Sequence, residues 1–135
     1  MYKYLSLIIL EIIFAEPVLA TDWNDSNCTN RGGIIQDING YKFCGGKNTM
    51  NWWSANIWCQ KHGGQLAHIT TACGFAAPFE NAACVNKSLP NYWTTVYANN
   101  GKAWTIECWR GQCGNISKLK QVALSTTANY RPLCE

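Results

Sequence analysis

Eight cysteines, at positions 28, 44, 59, 73, 84, 108, 113 and 134 of a 135-residue chain, constrain what this sequence can fold into more than any other feature. They follow a segment with the layout of a cleavable secretory signal: Lys3 near the start, an apolar run from Leu5 to Ala15, and the small residues Val18 and Ala20 before a cut after Ala20. An even number of cysteines in a small exported domain reads as disulfides rather than as metal thiolates or free buried thiols. Glu11 interrupts the apolar run, which therefore falls short of the roughly 18 uninterrupted apolar residues that a spanning helix requires. No later segment is apolar and long enough to span either. The expected location is secreted or extracytoplasmic, with no transmembrane segment in the mature chain.

Loss of residues 1–20 leaves 115, a length that supports one hydrophobic core and not two. We divide the chain into a signal peptide (1–20), a polar, turn-rich N-terminal extension tied down by Cys28 (21–33) and one folded domain (34–135). The mature part carries ten Lys and Arg against six Asp and Glu, scattered rather than grouped. That excludes the basic patch or stripe of a nucleic-acid binder and leaves a weak preference for anionic surfaces. Seven tryptophans are many for a core this small. Some are expected at the surface, where an indole offers a flat apolar face and one N–H donor.

Ile34 to Ile38 and Tyr41 to Cys44 read as strands of a hairpin turned at Asn39-Gly40. From Asn51, a suitable N-cap, the spacing of Trp52, Ala55, Cys59 and His62 predicts a helix that Gly63-Gly64 ends. Gln65 to Ile69 is expected as a short strand, with Leu66, Ala67 and Ile69 in the core. Thr70 to Asn91 is irregular, with room for a short helix started by Pro78. Tyr92 to Tyr97 and Lys102 to Ile106 are predicted strands around a turn at Asn99-Asn100-Gly101. The stretches Gln121 to Leu124 and Tyr130 to Cys134 are predicted strands as well. The fold class is α+β: one main helix, with at most a second short one, packed on antiparallel sheets.

Asn51 to Ile69, with Trp52, Ala55, Cys59, Gly63-Gly64 and Leu66-Ala67, resembles the first helix and following strand of C-type-lectin-like domains. Tyr92-Trp93-Thr94-Thr95 is similar to the central strand of that family, and Arg131-Pro132-Leu133-Cys134-Glu135 to its closing segment. The three landmarks span residues 34–135. Trp52-Trp53-Ser54 is also similar to a segment of small lectin-like proteins encoded in bacterial genomes. The resemblance implies a bridge from Cys59 to Cys134, one from Cys28 to Cys44, and with these one from Cys73 to Cys84. Cys108 and Cys113 bracket a loop short enough for a local pair. Family members that bind sugar through Ca²⁺ supply carboxylates from two motifs, and both are missing: Ser88-Leu89-Pro90-Asn91 lacks the acid, and Glu107 is the one acid between Ile106 and Cys134. A compact form without a calcium site of the family type, needing no cofactor, is therefore expected.

Catalysis finds little support. Cys59-x-x-His62 with His68 is the nearest metal-like pattern, and a bridged Cys59 offers no thiolate. His62 and His68 as acid and base of a small secreted hydrolase such as a ribonuclease form one alternative; Glu80 with Glu107 for glycoside hydrolysis is weaker, and Ser54 lacks nucleophile-elbow glycines. Asn-x-Ser/Thr sequons occur at Asn24, Asn27, Asn86 and Asn115 and matter only in a glycosylating host. The leading expectation is a secreted recognition or adhesion module for a cell-surface glycan or protein. The other alternative is a structural or protein-interaction domain without sugar binding. By the family's use of its central strands and loops, the expected ligand surface is Tyr97, Asn99, Asn100, Lys102, Trp104, Trp109, Arg110 and Gln112. Trp52, Trp53, Trp58 and Trp93 are expected in the core or between helix and sheet.

Overall fold

The computed structural model of the chain describes residues 22–38, 40–73, 82–85, 91–96, 101–108, 117–125 and 130–135. Over these the chain is α+β. Helix α1 spans Asp25–Thr29, and strands β1 (Gly33–Ile38) and β2 (Tyr41–Gly46) form a hairpin closed through Gly40, whose φ of 87° is the left-handed geometry that the turn requires. Helices α2 (Trp52–Lys61) and α3 (Ile69–Cys73) follow. Strands β3 (Ala83–Val85), β4 (Tyr92–Val96), β5 (Lys102–Cys108), β6 (Ser117–Ala123) and β7 (Arg131–Cys134) complete a sheet ordered β1-β2-β7-β4-β5-β6-β3. Its pairs are antiparallel except β4 with β7, which run parallel and make the sheet mixed.

The last strand is thus inserted between the opening hairpin and the meander. Cys134 lies opposite Cys44, Leu133 opposite Gly45, and Tyr92 beside Arg131. A Cβ at Gly45 would overlap the Tyr92 phenol, so glycine is what lets β2 lie under that ring. The Tyr92 hydroxyl accepts from Gln36 Nε2 at 3.0 Å.

Helix α2 starts where the sequence places it. Asn51 Oδ1 accepts from Ser54 N at 2.8 Å, satisfying one of the free N–H groups of the first turn, and Gly63 ends the helix with φ 90°. Its buried residues are Trp52, Ala55 and Cys59. Two indole N–H groups lock its start to β4: Trp52 Nε1 donates to the Thr94 carbonyl at 2.8 Å, and Trp93 Nε1 to the Met50 carbonyl at 2.7 Å. The rest of the lock is covalent, because Cys59 is bridged to Cys134. Cys28 is bridged to Cys44 and Cys73 to Cys84, as the resemblance implies. Cys108 is also disulfide-bonded, while Cys113 lies outside the described residues.

Alternation along the central strands explains the two packed clusters. Tyr92, Trp104, Ile106 and Leu133 join Phe43, Ile69 and Leu119 in one; Trp93, Ala103 and Cys134 join Trp23, Trp52, Ala55 and Leu66 in the other. Successive side chains of a strand face opposite ways, so both faces of β4, β5 and β7 are covered.

The expected antiparallel sheets become a mixed sheet through the parallel β4–β7 pair, two short helices, α1 and α3, accompany α2 where one was expected, and four further readings of the sequence change. The predicted strand Gln65–Ile69 is extended only at its start, where Gln65 and Glu135 exchange backbone hydrogen bonds and Ala67 N donates to the Leu133 carbonyl. Past Ala67 the chain turns into α3, which starts at Ile69 and ends at the bridged Cys73. Trp53, expected in the core, is 55% exposed, because the burial stripe of α2 runs through Trp52, Ala55 and Cys59. The strand expected at Gln121–Leu124 starts earlier, at Ser117. The N-terminal extension is more than a tether: it forms α1, whose Asn24 and Asn27 cap each other reciprocally, and delivers Trp23 to the core at 2% exposure.

Two stability predictions follow from this packing. Replacing Cys59 and Cys134 together by Ala should cost about 4.5 kcal/mol on the chain-entropy model, against about 3 kcal/mol for Cys28 and Cys44, whose loop is shorter. Denaturant unfolding of the two double variants checks the order, and equal losses would contradict it. Tyr130, whose hydroxyl donates to Glu107 Oε2 at 2.7 Å, is pushed well above its ordinary value of 10.0 by burial first and by the Glu107 carboxylate second. Its neutral form is the one that the fold favours, so the stabilisation is complete below pH 10 and is lost as pH rises beyond it. Stability should decline above pH 10, with a shallower slope in Tyr130→Phe.

Candidate functional site

Of the ligand surface expected from the sequence, Lys102 and Trp104 are described. Lys102 is exposed at the start of β5. Trp104 is 3% exposed, packed in the cluster around Tyr92 and Ile106, with its carbonyl accepting from Thr94 Oγ1 at 2.6 Å. Its indole has no face left for a ligand, since the alternation of β5 turns it into a covered side of the sheet. Tyr97, Asn99, Asn100, Trp109, Arg110 and Gln112 lie outside the described residues.

A concave site lies elsewhere, where the beginning and the end of the described chain meet. A cavity of about 460 Å³ opens between the N-terminal segment, the β1–β2 turn, α3 and Glu135. Of its aromatic lining, Tyr41 is 62% exposed, whereas Trp23 from the extension and Phe43 from β2 are buried beneath it. Asp22, Thr71 and Glu135 supply polar atoms, and Gly40 and Lys42 complete the lining. Lys42 alternates with Tyr41 and Phe43, so its side chain leaves the other face of the hairpin. There its ammonium lies 3.6 Å from Asp37, its cross-strand partner. The lining thus carries Lys42, paired with Asp37, as well as the carboxylates of Asp22 and Glu135.

Glu135 is the most constrained polar group there. Its side chain is 8% exposed, and Oε2 accepts from Gln65 Nε2 at 2.9 Å and bonds His68 Nδ1 at 2.6 Å. Burying a carboxylate is costly unless it is hydrogen-bonded, and both partners come from the segment that pairs with β7. Trp23 Nε1 is the one buried side-chain donor without a partner among the described residues. Arg31 lies 5.9 Å from the centroid of the Trp23 ring and donates from Nη1 to the His62 carbonyl, tying the extension to the end of α2.

The two histidines take different partners. His62 packs edge-on against Trp58, with ring centroids 4.5 Å apart, and its pKa is lowered by desolvation, then by Arg31 and Lys61. His68 is half exposed and bound to Glu135. Among the described residues, no three His, Cys, Asp or Glu side chains gather as they would around a metal ion. Glu107, the one acid of the second-half sheet, has Oε2 occupied by Thr105 Oγ1 at 2.8 Å and by Tyr130. On the outer side of α2, Trp53 and Ile57 are each 55% exposed, one helical turn apart.

Two signals in the sequence could have pointed to the cavity: Trp23 is the one aromatic of an otherwise polar extension, and Glu135 is an acid immediately after a cysteine that closes the fold. No helix among the described residues is long and apolar enough to cross a membrane. In comparison with known proteins, no family model, no curated protein and no solved structure matches this chain.

Proposed function

We propose that this chain is a secreted, calcium-independent recognition module of C-type-lectin-like architecture that binds a cell-surface carbohydrate. The architectural part is supported by the helix-to-sheet passage through Gly63-Gly64 and by the bridge from Cys59 to the closing strand, the pairing that the family resemblance implies. Calcium independence is supported by Glu107, whose Oε2 is engaged by Thr105 and Tyr130.

The observation that carries the functional reading is the cavity beside Tyr41, the exposed aromatic ring of its lining. Its size falls within the range of small-molecule sites, about 300 to 1,000 Å³. The exposed Tyr41 ring matches the C–H face of a sugar, while carboxylates and a threonine hydroxyl match its hydroxyls. A lipid tail would leave Asp22 and Glu135 unserved. A second reading, protein interaction without sugar binding, is favoured by Trp53 and Ile57, the exposed apolar pair on α2.

A glycan array separates the two readings. The wild-type chain should retain bound sugar in EDTA. Tyr41, 62% exposed and so replaceable without opening the core, should lose about tenfold in affinity on truncation to Ala, the loss of one aromatic stacking face. Trp53→Ala with Ile57→Ala should bind as the wild type does. An empty array, a signal abolished by EDTA, or unchanged binding by Tyr41→Ala would each overturn the proposal.

A further inference from the structure

We infer that the outer face of α2 docks on an anionic phospholipid surface, with Trp53 and Ile57 entering the interface and Lys61, Arg31 and Lys47 meeting the headgroup phosphates. This goes beyond the carbohydrate reading and does not depend on the cavity.

The helix surface departs from the usual amphipathic pattern. The buried stripe of α2 is Trp52, Ala55 and Cys59, so at roughly 100° per residue the side chain opposite it is Ile57. A solvent-facing side is ordinarily polar, yet Ile57 and Trp53, one turn before it, are each 55% exposed. Trp53 is held by an edge-to-face contact with Trp52, ring centroids 4.9 Å apart, and Trp52 is itself bonded to β4. One turn beyond Ile57 the stripe ends in Lys61, also exposed. Helix α2 carries no Asp or Glu.

Cations that the sequence scatters are gathered at that end of the helix. Arg31 Nη1 donates to the His62 carbonyl, and after desolvation the charges that lower the His62 pKa are those of Arg31 and Lys61. Lys47 N donates to the Gly32 carbonyl at 3.3 Å, next to Arg31, and a Cβ at neighbouring Gly46 would meet the Trp58 ring at 3.6 Å. Three exposed cations thus border an exposed apolar pair. An anionic bilayer serves both: phosphates for the cations, and an interface that accepts single indole and aliphatic side chains. A protein partner asks for more, since a stable interface buries about 800 Å² on each side and two apolar residues of one helix supply only a fraction. A soluble polyanion would leave Trp53 and Ile57 in water.

Co-sedimentation of the full chain with vesicles tests this, comparing phosphatidylcholine alone with an equal mixture of phosphatidylcholine and phosphatidylglycerol. The chain should partition onto the mixed vesicles at low salt, leave them as salt rises, and ignore phosphatidylcholine alone. Trp53→Ala with Ile57→Ala should weaken partition about tenfold, the scale of one large apolar side chain withdrawn from apolar surroundings. Lys61→Gln and Lys47→Gln should each weaken it about fivefold. All four positions are exposed, so the circular dichroism of these variants should match the wild type. Arg31 is kept because it ties the extension to the end of α2. No partition of the wild type onto the mixed vesicles, equal partition onto both kinds, or unchanged partition in the apolar double variant or in both lysine variants overturns the inference. A wild-type chain that self-associates, and becomes monomeric in the apolar double variant, overturns it too, because a second copy then covers the face. None of these outcomes touches the carbohydrate reading, whose site is the cavity.

Discussion

The bond between Cys59 and Cys134 is the constraint on which the rest of this structure depends. It fixes the main helix to the one strand that touches both halves of the sheet, since β7 lies between β2 and β4. The bridge removes conformational freedom from the unfolded chain over 75 residues. In the folded state it lies in the cluster where Trp52, Trp93 and Leu66 pack. The remaining bridges act on smaller pieces: Cys28–Cys44 folds the N-terminal segment onto the hairpin, and Cys73–Cys84 holds α3 to β3.

Pinning the last strand in the sheet centre also creates the candidate site. Glu135 follows β7 directly, so the exchange of backbone hydrogen bonds with Gln65 presents its carboxylate to Gln65 and His68. Cys28 and Arg31 bring the extension, and Trp23 with it, to the same end of the molecule. The cavity thus gathers groups from residues 22 and 135, more than a hundred positions apart. Its chemistry is a by-product of chain closure: an exposed ring from β2 above buried aromatics, and an acid held by Gln65 and His68.

Local features of the fold were legible. The Asn51 cap, the buried stripe of Trp52, Ala55 and Cys59, and the glycine stop define α2, and Asn39-Gly40 marks the hairpin, because each is a short-range signal with one structural outcome. Long-range outcomes were harder to read. Trp104 lies in a strand that could have had one open face, and only the covering of both faces buries it. Gln65 to Ile69 has strand composition, yet it pairs only as far as Ala67, after which α3 begins. The candidate site was hidden for the same reason. Nothing near Trp23 in sequence indicates that Glu135 shares its cavity, and a pairing of chain ends leaves no periodic trace.

The central claim is that the cavity beside Tyr41 is where the ligand is seated, and the exposed ring of that residue reports on it directly. In an NMR titration with a sugar that the chain binds, the ring signals of Tyr41 should move while the Trp53 indole signal stays in place. A Tyr41 signal that remains fixed while that of Trp53 moves would place the ligand on the outer face of α2 and contradict the account.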